Sequence, residues 1–174
     1  MDEKLALYAE LLRAYAPRMN LISPADLAQF ESRHIADSLR LAPLLHELPE
    51  GPCMDVGSGA GLPGIPLACA DPERRWVLLE PRAKRAAFLE EVVRRLRLDA
   101  TVICVRAEQL SQQEMHRSTY ALATARALAP PLAVVHLLRP FLATGGVGAV
   151  FLGGEAIQPP ETELWQKGIA IVRK

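Results

Sequence analysis

Apolar residues at Leu5, Tyr8, Leu12 and Tyr15 recur every three to four positions, which puts them on one face of an α-helix. Pro17 predicts where that helix stops. Ser23 followed by Pro24 reads as a helix cap with proline at the first helical position, and it opens a second predicted helix carried by Phe30, Ile35 and Leu39. From Cys53 onwards the period changes. Short apolar runs, CMDV (53–56), WVLLE (76–80), ATVICV (100–105), YALATA (120–125), VGAVFL (147–152) and IAIV (169–172), alternate with helical patterns. The clearest of these helices spans 84–98, with Phe88, Val92, Val93 and Leu96 on one face. Strands alternating with helices predict an α/β fold, a mostly parallel sheet covered on both faces. The expected organisation is a helical N-terminal extension (1–50) packed on a 51–174 core, one domain overall.

Composition narrows the class. Of the 174 residues 50% are hydrophobic and 23% charged, which excludes a disordered or fibrous chain. No apolar stretch approaches the ~20 residues that span a bilayer, so no membrane partner is expected. The opening MDEKLALYAE is acidic and amphipathic, unlike a secretory signal. Cys53, Cys69 and Cys104 have no CxxC spacing and sit among apolar residues, which predicts three buried reduced thiols and a cytoplasmic protein. No residue spacing suggests a metal site. Twenty basic residues balance twenty acidic ones, so a polyanionic partner would have to be met by a local patch.

Residues 55–68 read DVGSGAGLPGIPLA, with Gly57, Gly59, Gly61 and Gly64 directly behind the first predicted strand. Ligands of open α/β sheets bind at the carboxyl ends of the strands, where the strand order reverses. The G-x-G-x-x-G spacing of Gly59–Gly64 is met, and no Gly-Lys-Ser/Thr follows, which excludes a P-loop. Asp55, two residues before Gly57, would repel a pyrophosphate and attract an ammonium group. Glu80 ends the second strand 23 residues past Gly57, where a carboxylate can accept hydrogen bonds from both ribose hydroxyls. A ligand with a ribose, a free amino group and no phosphate is S-adenosylmethionine. The alternatives for these residues are structural: Asp55 as a cap of the next helix, Glu80 as an exposed strand end.

This stretch resembles the first motif of the bacterial small-subunit ribosomal RNA (guanine-N7) methyltransferase G family, also called the glucose-inhibited division protein B family. The Leu-Pro-Gly-Ile-Pro-Leu extension (62–67) is much more particular than a generic methyltransferase signature. Asn20-Leu21, Arg33-His34-Ile35-Ala36-Asp37-Ser38, Lys84-Arg85 with Phe88-Leu89, Arg106-Ala107-Glu108 and Ala125-Arg126-Ala127 resemble further family segments in order, over about residues 5–165. The resemblance implies a Rossmann-like, S-adenosylmethionine-dependent enzyme that methylates N7 of a guanine in 16S ribosomal RNA. It implies that Gly57, Gly59, Leu62, Ala107 and Glu108 line the cofactor pocket and that Arg126 closes it beside the substrate. Two departures stand out. Gly153-Gly154 replaces the family's Lys-Gly after the fifth strand, and the ends are shorter, which predicts a six-stranded sheet short of the final strand.

The substrate side is legible mainly as charge. Arg82, Lys84 and Arg85 follow Glu80, and Arg94, Arg95 and Arg97 lie at the far end of the same predicted helix, against only Glu90 and Glu91. Such a face can meet RNA phosphates or simply be solvated. Arg33, His34 and Asp37 form a polar stripe that either faces RNA or locks the extension to the core. The partner implied is 16S ribosomal RNA or the small ribosomal subunit, met by a monomer. A small-molecule methyltransferase and a non-catalytic S-adenosylmethionine-binding module would use the same pocket.

Overall fold

The computed structural model describes residues 3–153 and 157–174. Helix α1 (Glu3–Met19) continues through Pro17, because a proline in the last turn interrupts little of the ladder. Asn20, in the left-handed region at φ 48°, ends it. Ser23 caps α2 (Pro24–Ala28), its Oγ accepting from the Asp26 amide at 3.1 Å. The expected single second helix is broken into α2, a π-helical turn over Phe30–Ile35 and α3 (Ala36–Leu39). A 3₁₀ turn (Ala42–Glu47) leads into the sheet.

Strands β1 (Cys53–Val56), β2 (Trp76–Leu79), β3 (Ala100–Ile103), β4 (Tyr120–Arg126), β5 (Leu142–Phe151), β6 (Glu163–Gln166) and β7 (Ile169–Arg173) form one sheet in the order β3-β2-β1-β4-β5-β7-β6. The first five pair in parallel; β7 runs antiparallel to both β5 and β6. Helices α4 (Gly64–Ala70), α5 (Ala83–Leu96), α6 (Ala107–Leu110) and α7 (Pro131–Leu138) cover the faces. The expectation of six strands and a missing final one is therefore corrected to seven strands among the described residues. The element overlooked is β6. It is an edge strand with β7 as its sole partner, Glu163 and Leu164 are exposed, and it needs no apolar run.

Alternation along β2 shows how the sheet splits its core. Trp76 and Leu78 face one side, Val77 and Leu79 the other. On one side Leu5, Tyr8 and Leu12 of α1 share a cluster with Ile65 of α4 and Phe88, Leu89 and Val92 of α5. On the other, Leu110 of α6 and Val134, Val135 and Leu138 of α7 pack against β1, β2 and β4. The N-terminal extension is thus built into the core rather than attached to it. Tyr8 makes the link specific: its fully buried hydroxyl donates to the Ala60 carbonyl at 2.8 Å, and its ring meets Phe30 edge-on at 5.2 Å.

Removing that hydroxyl leaves a buried carbonyl unpaired. Tyr8→Phe should lose about 1–3 kcal/mol in urea unfolding, with the m-value unchanged. A loss indistinguishable from zero would mean that the Ala60 carbonyl finds water or another donor.

Candidate functional site

The strand order reverses between β1 and β4, and a cavity rich in polar side chains lies at the carboxyl ends of these central strands. There Gly57, Ser58, Gly59, Ala60 and Leu62 line a cavity of about 710 Å³ together with Glu80, Arg82, Arg85, Arg106 and Arg126. The N-terminal extension closes one wall with Leu21, Ile22, Asp26 and His34.

The loop after β1 spends most of its main-chain donors on the protein itself. The Gly57 and Ser58 amides both donate to the Leu79 carbonyl, at 2.7 and 3.0 Å. Those of Gly61 and Leu62 donate to the Ser58 carbonyl, and that of Gly59 donates to Glu80 Oε2 at 2.9 Å. A pyrophosphate cradle needs such amides free. This loop has committed five of them, those of Gly57, Ser58, Gly59, Gly61 and Leu62, to the protein, so it suits a ligand without phosphate. Gly57 sits at φ 71°, and a Cβ there would lie 2.6 Å from Leu128 Cδ1. The bare backbone and Leu128 thus face each other across a slot that a side chain would fill.

Glu80 is almost fully buried, and its two oxygens accept from the Gly59 and Arg82 amides at 2.9 Å each. Every carboxylate oxygen has a second lone pair, so Glu80 can hold the loop and still accept hydroxyl donors from the cavity. Ala107 and Glu108 do not line the main cavity. They line a smaller adjoining one of about 210 Å³, which shares Gly57, Pro81, Arg106 and Leu128 with it.

Asp55 is placed otherwise than expected. It has no exposed surface and does not line the cavity. Its Oδ1 accepts from the Thr124 hydroxyl of β4 at 2.8 Å and its Oδ2 from the Gly64 amide of α4 at 3.2 Å. Both oxygens are turned into the protein, and with no exposed surface the carboxylate offers nothing to a ligand in the cavity. Its role is to pin β1, β4 and α4 together, and the pin explains Gly64: a Cβ there would meet Asp55 Oδ2 at 2.8 Å and Leu78 Cδ2 at 2.6 Å.

Arg126, at the end of β4, lies between two regions. Its Nη2 donates to His34 Nδ1 at 2.9 Å, and His34 Nε2 lies 3.0 Å from Asp26 Oδ1. These partners select the tautomer with its proton on Nε2. Arg126 Nη1 lies 3.3 Å from Asp37 Oδ2 but is not aligned for a hydrogen bond, and it is buried with no other partner. The guanidinium sits 5.8 Å above the Phe151 ring. On the far side a second cleft of about 640 Å³ is lined by Arg33, Asp37, Arg40, Phe151 and Gly153. Gly154 lies outside the described residues.

The basic clusters separate. Arg82 and Arg85 reach the cavity, and Arg85 also donates to the Asn20 carbonyl at 3.1 Å. Lys84 is exposed beside them. At the other end of α5, Arg94 and Arg95 pair with Glu91, the ordinary arrangement of a solvated helix face. The expectation of three buried thiols is corrected at Cys104, which is exposed on the cavity wall because it follows the half-buried edge strand β3. Sequence reading also missed Asp26, Arg106 and Leu128. The last two were within reach, since each follows the carboxyl end of a strand. No cluster of potential metal ligands occurs, and no helix is long and apolar enough to cross a membrane, among the described residues.

The sequence profile of a family described as rRNA small subunit methyltransferase G matches residues 1–164. Relatives named ribosomal RNA small subunit methyltransferase G include one from Granulibacter bethesdensis, 41% identical over 161 residues, 92% of this chain and 72% of its own. One from Acidiphilium cryptum is 40% identical over 93% of this chain and 74% of its own length. The match to a relative from Roseiflexus castenholzii is 41% identical and spans 83% of this chain but 62% of that protein. Among solved structures, a Corynebacterium glutamicum protein aligns with a TM-score of 0.67 at 13% identity, over 97% of this chain and 89% of that one. A variant of MtNAS in complex with S-adenosylmethionine aligns with a TM-score of 0.60 at 16% identity, over 98% of this chain and 73% of that one. At these identities the structures speak for the fold.

The Asp55 pin carries a pH signature. Burial pushes its carboxyl up from the ordinary 3.8 to about 6, against the opposing pull of its hydrogen bonds. The folded chain therefore binds this proton more tightly than the unfolded chain. The group's contribution is complete below its unfolded pKa and is lost as pH rises through about 6. Asp55→Asn has no proton to lose. Its stability relative to the parent should rise by about 3 kcal/mol between roughly pH 3.5 and 7, measured by urea unfolding. A difference independent of pH would show that the carboxyl titrates normally.

Proposed function

The chain belongs to the rRNA small subunit methyltransferase G family, whose members depend on S-adenosylmethionine, and we propose that it transfers the methyl group to N7 of a guanine in 16S ribosomal RNA. One observation carries the reading. The committed loop amides, the buried Glu80 and the guanidinium of Arg126 converge on a single cavity at the switch point of the sheet.

The residues present fit the cofactor. Glu80 offers acceptors to ribose hydroxyls, while Gly57, Gly59 and Leu62 supply a bare and partly apolar wall. Ala107 and Glu108 border the adjoining cavity, which suits the adenine. S-adenosylmethionine supplies an electrophilic methyl group on a positively charged sulfur. Asp55 acts through the scaffold alone, holding the loop that these residues occupy.

Guanine N7 carries a free lone pair at neutral pH and no proton to remove. The protein's task is therefore placement, and holding two reactants in line supplies much of an acceleration by itself. Arg126 cannot serve as a base, because a guanidinium stays protonated. Held by His34 and beside Asp37, it borders both the cofactor cavity and the second cleft, where the two adjoin. Arg82, Lys84, Arg85 and Arg33 are placed to meet RNA phosphates, with Arg82 and Arg85 on the cavity rim and Arg33 on the second cleft. The small ribosomal subunit, or its RNA, in the cytoplasm is the corresponding partner.

The test is transfer of labelled methyl from S-adenosylmethionine to deproteinised 16S RNA and to small subunits in parallel. Label should appear as 7-methylguanine in at least one; cofactor binding with no label in either would overturn the reading. In the same preparation Glu80→Ala should weaken S-adenosylmethionine binding by roughly 30- to 1,000-fold, the worth of two charge-assisted hydrogen bonds in a shielded site. Unchanged affinity would remove Glu80 from the ribose.

A further inference from the structure

Methyl transfer to N7 restricts how the base itself can be held. The commonest protein contact to guanine is an arginine donating to O6 and N7, and here that contact would occupy the lone pair that must react. Recognition has to move to the opposite edge, where N1–H and the 2-amino group are both donors. Two adjacent donors call for a pair of acceptors, which a carboxylate supplies.

Three carboxylates stand at the cavity and the cleft with fixed partners. Both oxygens of Glu80 already accept main-chain amides, and it belongs to the cofactor side. Asp26 is also on the cofactor side, with Oδ1 on His34 and Oδ2 accepting from the Ser23 hydroxyl at 2.6 Å. Asp37 differs. It lies in the second cleft, beyond Arg126, and is 30% exposed. Its Oδ1 accepts from Arg40 Nη1 at 2.8 Å, whereas its Oδ2 receives no hydrogen bond, although Arg126 Nη1 stands 3.3 Å away. An acceptor thus stands without a donor in a cleft that shares Arg126 and Ala127 with the cofactor cavity.

We propose that Asp37 is the specificity-determining residue for guanine, its carboxylate accepting from N1–H and the 2-amino group of a base seated in the cleft lined by Arg33, Arg40, Arg126 and Phe151. This deepens, and rests on, the reading of the chain as a guanine-N7 methyltransferase. The cleft's volume of about 640 Å³ is ample for a nucleotide. The Arg33 guanidinium has no hydrogen bond or ion pair among the described residues, so its charge is available to the nucleotide's phosphate. Gripping the N1 edge leaves N7, on the other ring, unobstructed. When the new N–CH₃ bond forms at N7 and the methyl–sulfur bond breaks, the purine becomes positively charged. A carboxylate on N1–H then binds the product-like base more strongly than the starting one, which lowers the barrier as well as selecting the base.

The discriminating experiment measures binding of guanosine, inosine and 1-methylguanosine 5′-monophosphates by calorimetry, with S-adenosylhomocysteine present. Inosine lacks the 2-amino group, and 1-methylguanosine lacks N1–H. The parent should bind the guanosine nucleotide at least about tenfold more tightly than either analogue. In Asp37→Asn, where one acceptor becomes a donor, the preference for guanosine over inosine should fall to about onefold while S-adenosylhomocysteine affinity is retained. Equal binding of all three nucleotides by the parent overturns the proposal, as does no binding at millimolar concentration or a preference that survives in Asp37→Asn. Should Asp37→Asn fail to fold, the parent's analogue series decides. Nucleotide binding is read without turnover, so an absence of methyl transfer to rRNA would count against the function and not against this assignment.

Discussion

A buried carboxylate holds the centre of this molecule together. Asp55 accepts from Thr124 on one side and from the Gly64 amide on the other. It thereby joins the two central strands, β1 and β4, at the point where the sheet changes direction, and fixes the start of α4. Every residue of the loop between, Gly57 to Pro63, is strung between these anchors. The cost is visible in the raised pKa, because hydrogen bonds compensate only in part for a charge held without water.

The N-terminal extension completes the site as well as the core. Tyr8 bonds the glycine-rich loop, Asn20 receives Arg85, and His34 receives Arg126. The π-helical turn over Phe30–Ile35 carries His34 to the cavity while Asp37, in the next element, faces the second cleft. Such turns widen the helix locally and re-aim the side chains after them. Arg126 is consequently held by residues from a segment distant in sequence, and its position reports whether extension and core are correctly docked.

Much of this was legible in the sequence. The change of period at Cys53 marked where the sheet begins, the Ser23-Pro24 cap is formed as expected, and the glycine loop with Glu80 is at the carboxyl edge. What escaped has physical causes. β6 is an edge strand that needs no apolar run, and Pro17 is tolerated because it falls in a last turn. For Asp55, residue type and spacing identified a functional carboxylate, but a strand alternates its faces and sequence alone did not say which way this one points. The His34–Arg126 contact joins residues far apart in the chain, and no local pattern announces it.

Taken together, these contacts describe a site that positions its reactants and takes no proton from them. His34 is committed to Arg126 and Asp26, and Asp37 to Arg40 and to the base it is proposed to read. None of these groups stands free as a general base. The most direct test is the single-turnover rate of methyl transfer to 16S RNA as a function of pH. The account predicts a nearly flat profile between about pH 6.5 and 8.5, since N7 needs no deprotonation. A rate that climbs about tenfold per pH unit across that range would contradict it and place the methyl group on an atom that must first lose a proton.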